Sequence, residues 1–237
     1  MEDMERYGDY NEIDEPPVKS KNIFLIVLKV LTALCCLGVV GILGFRMILF
    51  NNYPATIENI YFNDNLTEYY NATAGDIGAK TQNLRAKYDD PDKGRFFCDN
   101  LIVIAGAEQL QISLRYNASN LSDIREELKL AEPLDDANPD ILSFRLVDNN
   151  GQIYNEVSVV AFKSKMMYRY YKIVADGIDF DGNGETYPEW IRLEIFVEGQ
   201  TSEEPFAMVA IYENHEDYNE FTDYIIKDSD KPTGEDV

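Results

Sequence analysis

The longest apolar run in the chain, "IFLIVLKVLTALCCLGVVGILGFRMILF" at residues 23–50, is interrupted by charge only at Lys29 and Arg46. The 16 residues between them are uncharged and as a helix reach about 24 Å. The apolar residues flanking them extend this beyond the hydrocarbon core of a bilayer, about 30 Å. Lys29 and Arg46 then fall near its two edges, where long side chains can carry their charge out to the headgroups. The pattern predicts one transmembrane helix over 23–50.

Beyond it the period changes from helical to alternating. In "LQISLRY", Leu110, Ile112, Leu114 and Tyr116 share one face, and Gln111, Ser113 and Arg115 the other. "WIRLEIFVEG" places Ile191, Leu193, Ile195 and Val197 inward, with Arg192 and Glu194 outward. "ILSFRLVDNNGQIYNEVSVVAF" reads as a hairpin around Asn150–Gly151, a pair that tolerates positive φ. "LIVIAG", "MMYRYYKIV" and "FAMVAIYE" bring the expected strands to about seven. One helix interrupts them, "NLSDIREELKLAEP", with Asn120 or Ser122 as cap, Ile124 and Leu128 on one face and Pro133 as stop. Strands separated by turns, without alternating helices, predict an all-β antiparallel sandwich. The expected organisation is a disordered acidic cytoplasmic tail (1–22), the membrane helix (23–50), a connector (51–92), a β-sandwich (93–227) and a disordered end (228–237). The connector is expected to rest on the sandwich through Tyr61, Phe62, Tyr69 and Tyr70.

The residues before the apolar run are acidic, whereas a signal peptide starts short and basic, and no small-x-small cleavage pattern follows it. The segment therefore reads as a retained anchor, with Cys35 and Cys36 as apolar residues within it. Lys19, Lys21 and Lys29 flank its start against Arg46 alone, and no further Lys or Arg comes before Lys80. The positive-inside rule places the N-terminus in the cytoplasm and residues 51–237 outside, at the plasma membrane. Residues 51–237 hold 16 basic and 36 acidic side chains, −20 of the chain's net −22. That charge repels nucleic acid and anionic headgroups, so a nucleic-acid partner is excluded. Cys98 is the one cysteine outside the anchor, so no disulfide forms within the external part, and its apolar surroundings favour burial.

The order "QLQISLRYN", "FRLVDNNGQIY", "RYYKIVADGID" and "IRLEIFVEG" resembles single-pass membrane proteins of Gram-positive bacteria. Their external parts are similar to the immunoglobulin-like (telokin-like) domains of bacterial membrane proteins and lipoproteins. The resemblance covers about Phe96–Glu213 and implies an immunoglobulin-like sandwich in the cell envelope, with an anchoring helix in place of a lipid. It implies no catalytic residues.

The residues offer little assembled chemistry. His215 is the only histidine, its sequence neighbours are acidic, and no nucleophile motif accompanies it. One His and one external Cys do not make a zinc site. In "DGIDFDGNGETYPEW", Asp179, Asp181, Asn183 and Gly184 match positions 1, 3, 5 and 6 of a calcium loop. Position 12 is Trp190, however, and Glu189 falls one place early, so a Gly-rich strand connection is the preferred reading. Asn65, Asn71, Asn117 and Asn120 begin sequons, which are glycan sites only in a eukaryotic secretory route. Asp135–Asp136 and Glu203–Glu204 are paired carboxylates of the kind an acidic chain contains by composition. Tyr168, Tyr170 and Tyr171 read as core and rim rather than a sugar platform. No catalytic, cofactor or metal residue is therefore assigned. The leading expectation is a membrane-anchored, non-enzymatic module that binds a protein or another envelope component. A calcium-dependent adhesion domain and a cell-envelope glycan hydrolase are the alternatives.

Overall fold

The computed structural model describes residues 20–84, 95–180, 188–213 and 221–231. The chain divides into two units between Asn52 and Tyr53. The first contains helix α1 (Ser20–Asn51), whose segment Ile23–Ile48 has 26 residues and mean hydropathy 2.7. At about 39 Å it is long and apolar enough to cross a membrane. Its apolar side chains are exposed on every face, the pattern of a helix whose surroundings are themselves apolar. Thr32 satisfies its hydroxyl internally by donating to the Leu28 carbonyl at 2.9 Å.

The second unit begins at Tyr53. It contains helices α2 (Ala55–Glu58), α3 (Asp64–Ala72) and α4 (Asn120–Leu128). Its strands are β1 (Lys80–Asn83), β2 (Phe96–Ile104), β3 (Gln109–Asn117), β4 (Leu142–Asp148), β5 (Ile153–Tyr154) and β6 (Val157–Lys165). After them come β7 (Tyr168–Ala175), β8 (Trp190–Val197), β9 (Ala207–Glu213) and β10 (Thr222–Asp223). Six strands form one sheet in the order β10-β1-β2-β3-β7-β6, and four form another in the order β5-β4-β8-β9. Every pairing is antiparallel.

The alternating strands bury the faces expected of them. Leu110, Ile112 and Leu114 of β3 share one core with Leu142 and Leu146 of β4 and Ile191, Leu193 and Ile195 of β8. Cys98 is buried in the same core. The hairpin turn is real: Gly151 has φ +76°, and the Asp148 carboxylate accepts from the N–H groups of Asn150 and Gln152, both at 2.8 Å. Its second arm is shorter than expected. β5 ends at Tyr154, and the next strand, β6, belongs to the six-stranded sheet beside β7.

Several boundaries differ from the sequence reading. The stretch expected as a connector is part of the domain: β1 pairs with β2, and Ile60, Leu66, Ile77 and Ala79 form a second core with Ile102 and Ile104. Phe62, Tyr69 and Tyr70 pack on that core, while Tyr61 stays exposed. This stretch reads in sequence as short helical turns broken by Gly75 and Gly78, in keeping with α3, but strand β1 carries too few alternating apolar positions to declare itself. At the other end, residues 228–231 form a turn with Asp230 buried, where a disordered end was expected. The unit is mostly antiparallel sheet with several helices, rather than all-β with one inserted helix. Helix α4 starts one residue earlier than a cap at Asn120 requires: Ser119 is the cap position, and the Asn117 carboxamide holds its N–H at 3.1 Å.

Candidate functional site

The outward rows of the two sheets carry the polar side chains, and the domain treats them differently. On β3 the row is Gln109, Gln111, Ser113 and Arg115, expected to face solvent from Gln111 onward. All four are buried. Residues 53–63 lie over them and turn their side chains into hydrogen-bonding partners. The Tyr61 N–H donates to Gln111 Oε1 at 2.8 Å, and Gln111 Nε2 donates back to the Tyr61 carbonyl at 2.7 Å. Ser113 Oγ donates to the Ile57 carbonyl at 2.7 Å. Gln109 Nε2 reaches Asn63 Oδ1 at 3.0 Å and Asp176 Oδ1 at 2.7 Å. Backbone that runs irregularly across a sheet must find such partners, because a buried amide without one costs about 1–3 kcal/mol.

A bulge between Cys98 and Asn100 lets Asp99 share this face with Arg115. Arg115 Nε lies 2.9 Å from Asp99 Oδ2, with the guanidinium over the rings of Tyr53, Phe97 and Tyr168. Burial pushes the Asp99 carboxyl up to about 7, against the opposing pull of Arg115. Lys172, next to Ser113 in the β3–β7 ladder, is fully buried. Its Nζ has no hydrogen-bond partner among the described residues. Burial brings its amine down to about 7, and the charges of Asp230 and Glu58 only partly oppose this.

The outward row of β8 is Trp190, Arg192, Glu194 and Phe196, with Arg145 of β4 opposite Glu194. Glu194 sits between two guanidiniums. Arg145 Nε donates to its Oε2 at 2.7 Å, and Arg192 Nε to its Oε1 at 3.1 Å. A second nitrogen of each arginine reaches the same carboxylate, at 2.6 and 2.9 Å. Arg145 lies over the Phe196 ring at 4.8 Å and Arg192 over the Trp190 ring at 5.7 Å. The carboxylate is 3% exposed, but the arginines are 37% and 39% exposed. Met208 and Ile153 flank them, 46% and 41% exposed. This face is open.

Two clefts lie elsewhere. One of about 1020 Å³ is lined by residues 59–64, β6 and the 229–231 turn. Its buried carboxylate, Asp230, accepts from the Tyr224 hydroxyl at 3.0 Å and the Lys227 N–H at 2.9 Å. The other, about 650 Å³, has Glu68, Glu108, Glu156 and Asp176 in its wall. Asp176 accepts from Asn63, Asn65 and Gln109. Among the described residues no group of three or more His, Cys, Asp or Glu could hold a metal ion.

The residues singled out from sequence are not brought together. Asp181, Asn183, Gly184 and His215 lie outside the described residues; of the loop's flanks, the Glu189 N–H donates to Asn149 Oδ1 at 2.7 Å and Trp190 opens β8. Asp135 caps the Ala137 N–H at 3.0 Å, and Asp136 pairs with Arg169, so these carboxylates serve a turn and an ion pair. Glu203 and Glu204 are exposed in the β8–β9 connection. Tyr168, Tyr170 and Tyr171 are buried, Tyr171 donating to the Pro139 carbonyl at 3.0 Å, so they present no platform. The Asn65 amide donates to the Ala107 carbonyl at 3.0 Å, a bond that a glycan on that nitrogen would disturb. Sequence reasoning missed the covered row and Lys172. The available signal was a lysine within "YRYYKIVA", a strand otherwise rich in apolar and aromatic residues. No protein-family model, no curated protein and no solved structure matches this chain.

Proposed function

We propose that this is a single-pass plasma-membrane protein with a cytoplasmic N-terminus, and that residues 53–237 are a non-enzymatic binding module outside the cell. One observation carries the non-enzymatic part. The buried carboxylates among the described residues are Asp99, Asp148, Glu194 and Asp230, and each is engaged by groups of the chain itself. Acid–base work on a glycan needs two carboxyls poised on the substrate. These four are held by the fold instead, which leaves Glu68, Glu108, Glu156 and Asp176 of the smaller cleft as the ones a hydrolase would have to use. Helix α1 and the lysines at its N-terminal side, Lys19, Lys21 and Lys29, support the anchoring and the orientation. We read the two sheets, which share one core, as an immunoglobulin-like sandwich.

The test uses the full chain tagged at both ends. Protease added to intact spheroplasts should remove the C-terminal tag and spare the N-terminal one; the reverse pattern overturns the topology. Release of soluble fragments from cell-wall glycan by the purified chain overturns the non-enzymatic reading.

A further inference from the structure

We propose that the open face of the four-stranded sheet, centred on Arg145 and Arg192, docks an acidic segment of a partner protein. This rests on the reading of the domain as a binding module and names where it binds and what. Three features of the face support it.

The first is charge. Two arginines share one glutamate there, a surplus of one positive charge at the centre of the face, with Glu213 in register opposite Trp190 at its edge. Residues 51–237 as a whole carry −20. An acidic partner is repelled by most of such a surface, and within a Debye length of about 8 Å of the two arginines it meets attraction. Charge thus orients the encounter as well as favouring it.

The second is preorganisation. Each guanidinium is held by Glu194 on one side and an aromatic ring beneath. Glu194 takes two nitrogens of each arginine. The remaining donors have no partner among the described residues, and both side chains are more than a third exposed. An arginine already fixed in place loses little further freedom when it grips a carboxylate, and its planar fork matches one.

The third is composition. Trp190 and Phe196 are half-buried and Met208 is exposed, so apolar anchor points adjoin the arginines. Aromatic residues and arginine at the centre of a face are the types that dominate binding energy. A partner segment that alternates carboxylate and apolar side chains satisfies both.

The face carries its own reporter, because Trp190 is the only tryptophan in the chain. The probe is a short synthetic peptide alternating Glu and Leu, with an alternating Lys and Leu peptide as control. The protein is the full chain in zwitterionic-lipid nanodiscs, read by Trp190 emission and by fluorescence anisotropy of the labelled peptide. The acidic peptide should bind and shift Trp190 emission, and Arg145→Gln with Arg192→Gln should weaken it about tenfold or more. Lys163→Gln with Lys165→Gln, on β6, should leave binding unchanged. Should the double arginine variant melt early, Met208→Ser provides a second test that removes an apolar anchor of the face and keeps both arginines and Glu194. Binding that survives both sets of substitutions, or a Trp190 response to the basic peptide alone, overturns the docking face. Protease topology is read separately, so a correctly oriented chain with a silent Trp190 removes this inference and leaves the binding-module reading standing.

Discussion

The outward faces of β3 and β8 look alike in sequence: each alternates polar and apolar residues, and each carries an arginine. In the fold they part. Arg115 is sealed under residues 53–63 with the Asp99 carboxylate buried beside it, whereas Arg192 shares Glu194 with Arg145 and reaches solvent. A polar row serves as internal glue where the chain folds back over it, and stays partly exposed where no described residue does. The difference lies in the cover and not in the strand.

The largest effect expected from breaking this contrast is removal of the cover. A chain starting at residue 93 lacks β1 and residues 53–63, and it exposes Gln109, Gln111, Arg115 and Lys172 together. It should lose cooperative melting, followed by circular dichroism, while a chain starting at residue 53 should keep it. Equal melting of the two would show that the cover is dispensable.

Arg115→Met breaks the buried bridge to Asp99 and removes the cation over three rings, and should cost about 3–5 kcal/mol in urea unfolding. A cost near that of an exposed arginine would place Arg115 in the same class as Arg192. Gln111→Ala strips the partners from both the Tyr61 N–H and its carbonyl, and should cost about 1–3 kcal/mol. Retained hydrogen-exchange protection at Tyr61 in that variant would argue against the bonding described for the cover.

Lys172 adds a pH signature. An ordinary lysine titrates near 10.5 and this one near 7, so between those values the unfolded chain binds a proton that the folded chain does not. Stability from this group therefore rises with pH across that window and is lowest below it. Lys172→Met should flatten the rise in melting temperature on the alkaline side of neutrality. An unchanged pH profile would mean that the amine is not buried uncharged. The smallest effect is expected on the open face. Arg192→Ala leaves Glu194 with Arg145, and should change stability by about 1 kcal/mol or less. A larger loss would recast that face as structural.

Much of the scaffold is legible in the sequence. The run of residues 23–50 marks α1 because no other element needs so many consecutive apolar residues. The alternation of Leu110, Ile112 and Leu114, and of Ile191, Leu193 and Ile195, selected the buried faces because side chains on a strand change sides at every residue. The Asn150–Gly151 turn was readable from its local backbone demand. The residues picked for chemistry fared differently. Asp135 and Asp136 looked like a pair in sequence, but Asp135 caps a turn and Asp136 bonds to Arg169, 33 residues away.

Alternation alone determined which side chains point away from the core; it carried no information on whether those side chains meet water. Tertiary structure decided that, through contacts such as the one between Tyr61 and Gln111, 50 residues apart. Polar groups on an outward face are equally content with water or with a well-placed backbone, since a hydrogen bond formed on folding replaces one already made to solvent. Composition therefore leaves the choice open. Only the path of the chain, bringing residues 53–63 over β3 and no described residue over β8, separates the row that is buried from the row that reaches solvent.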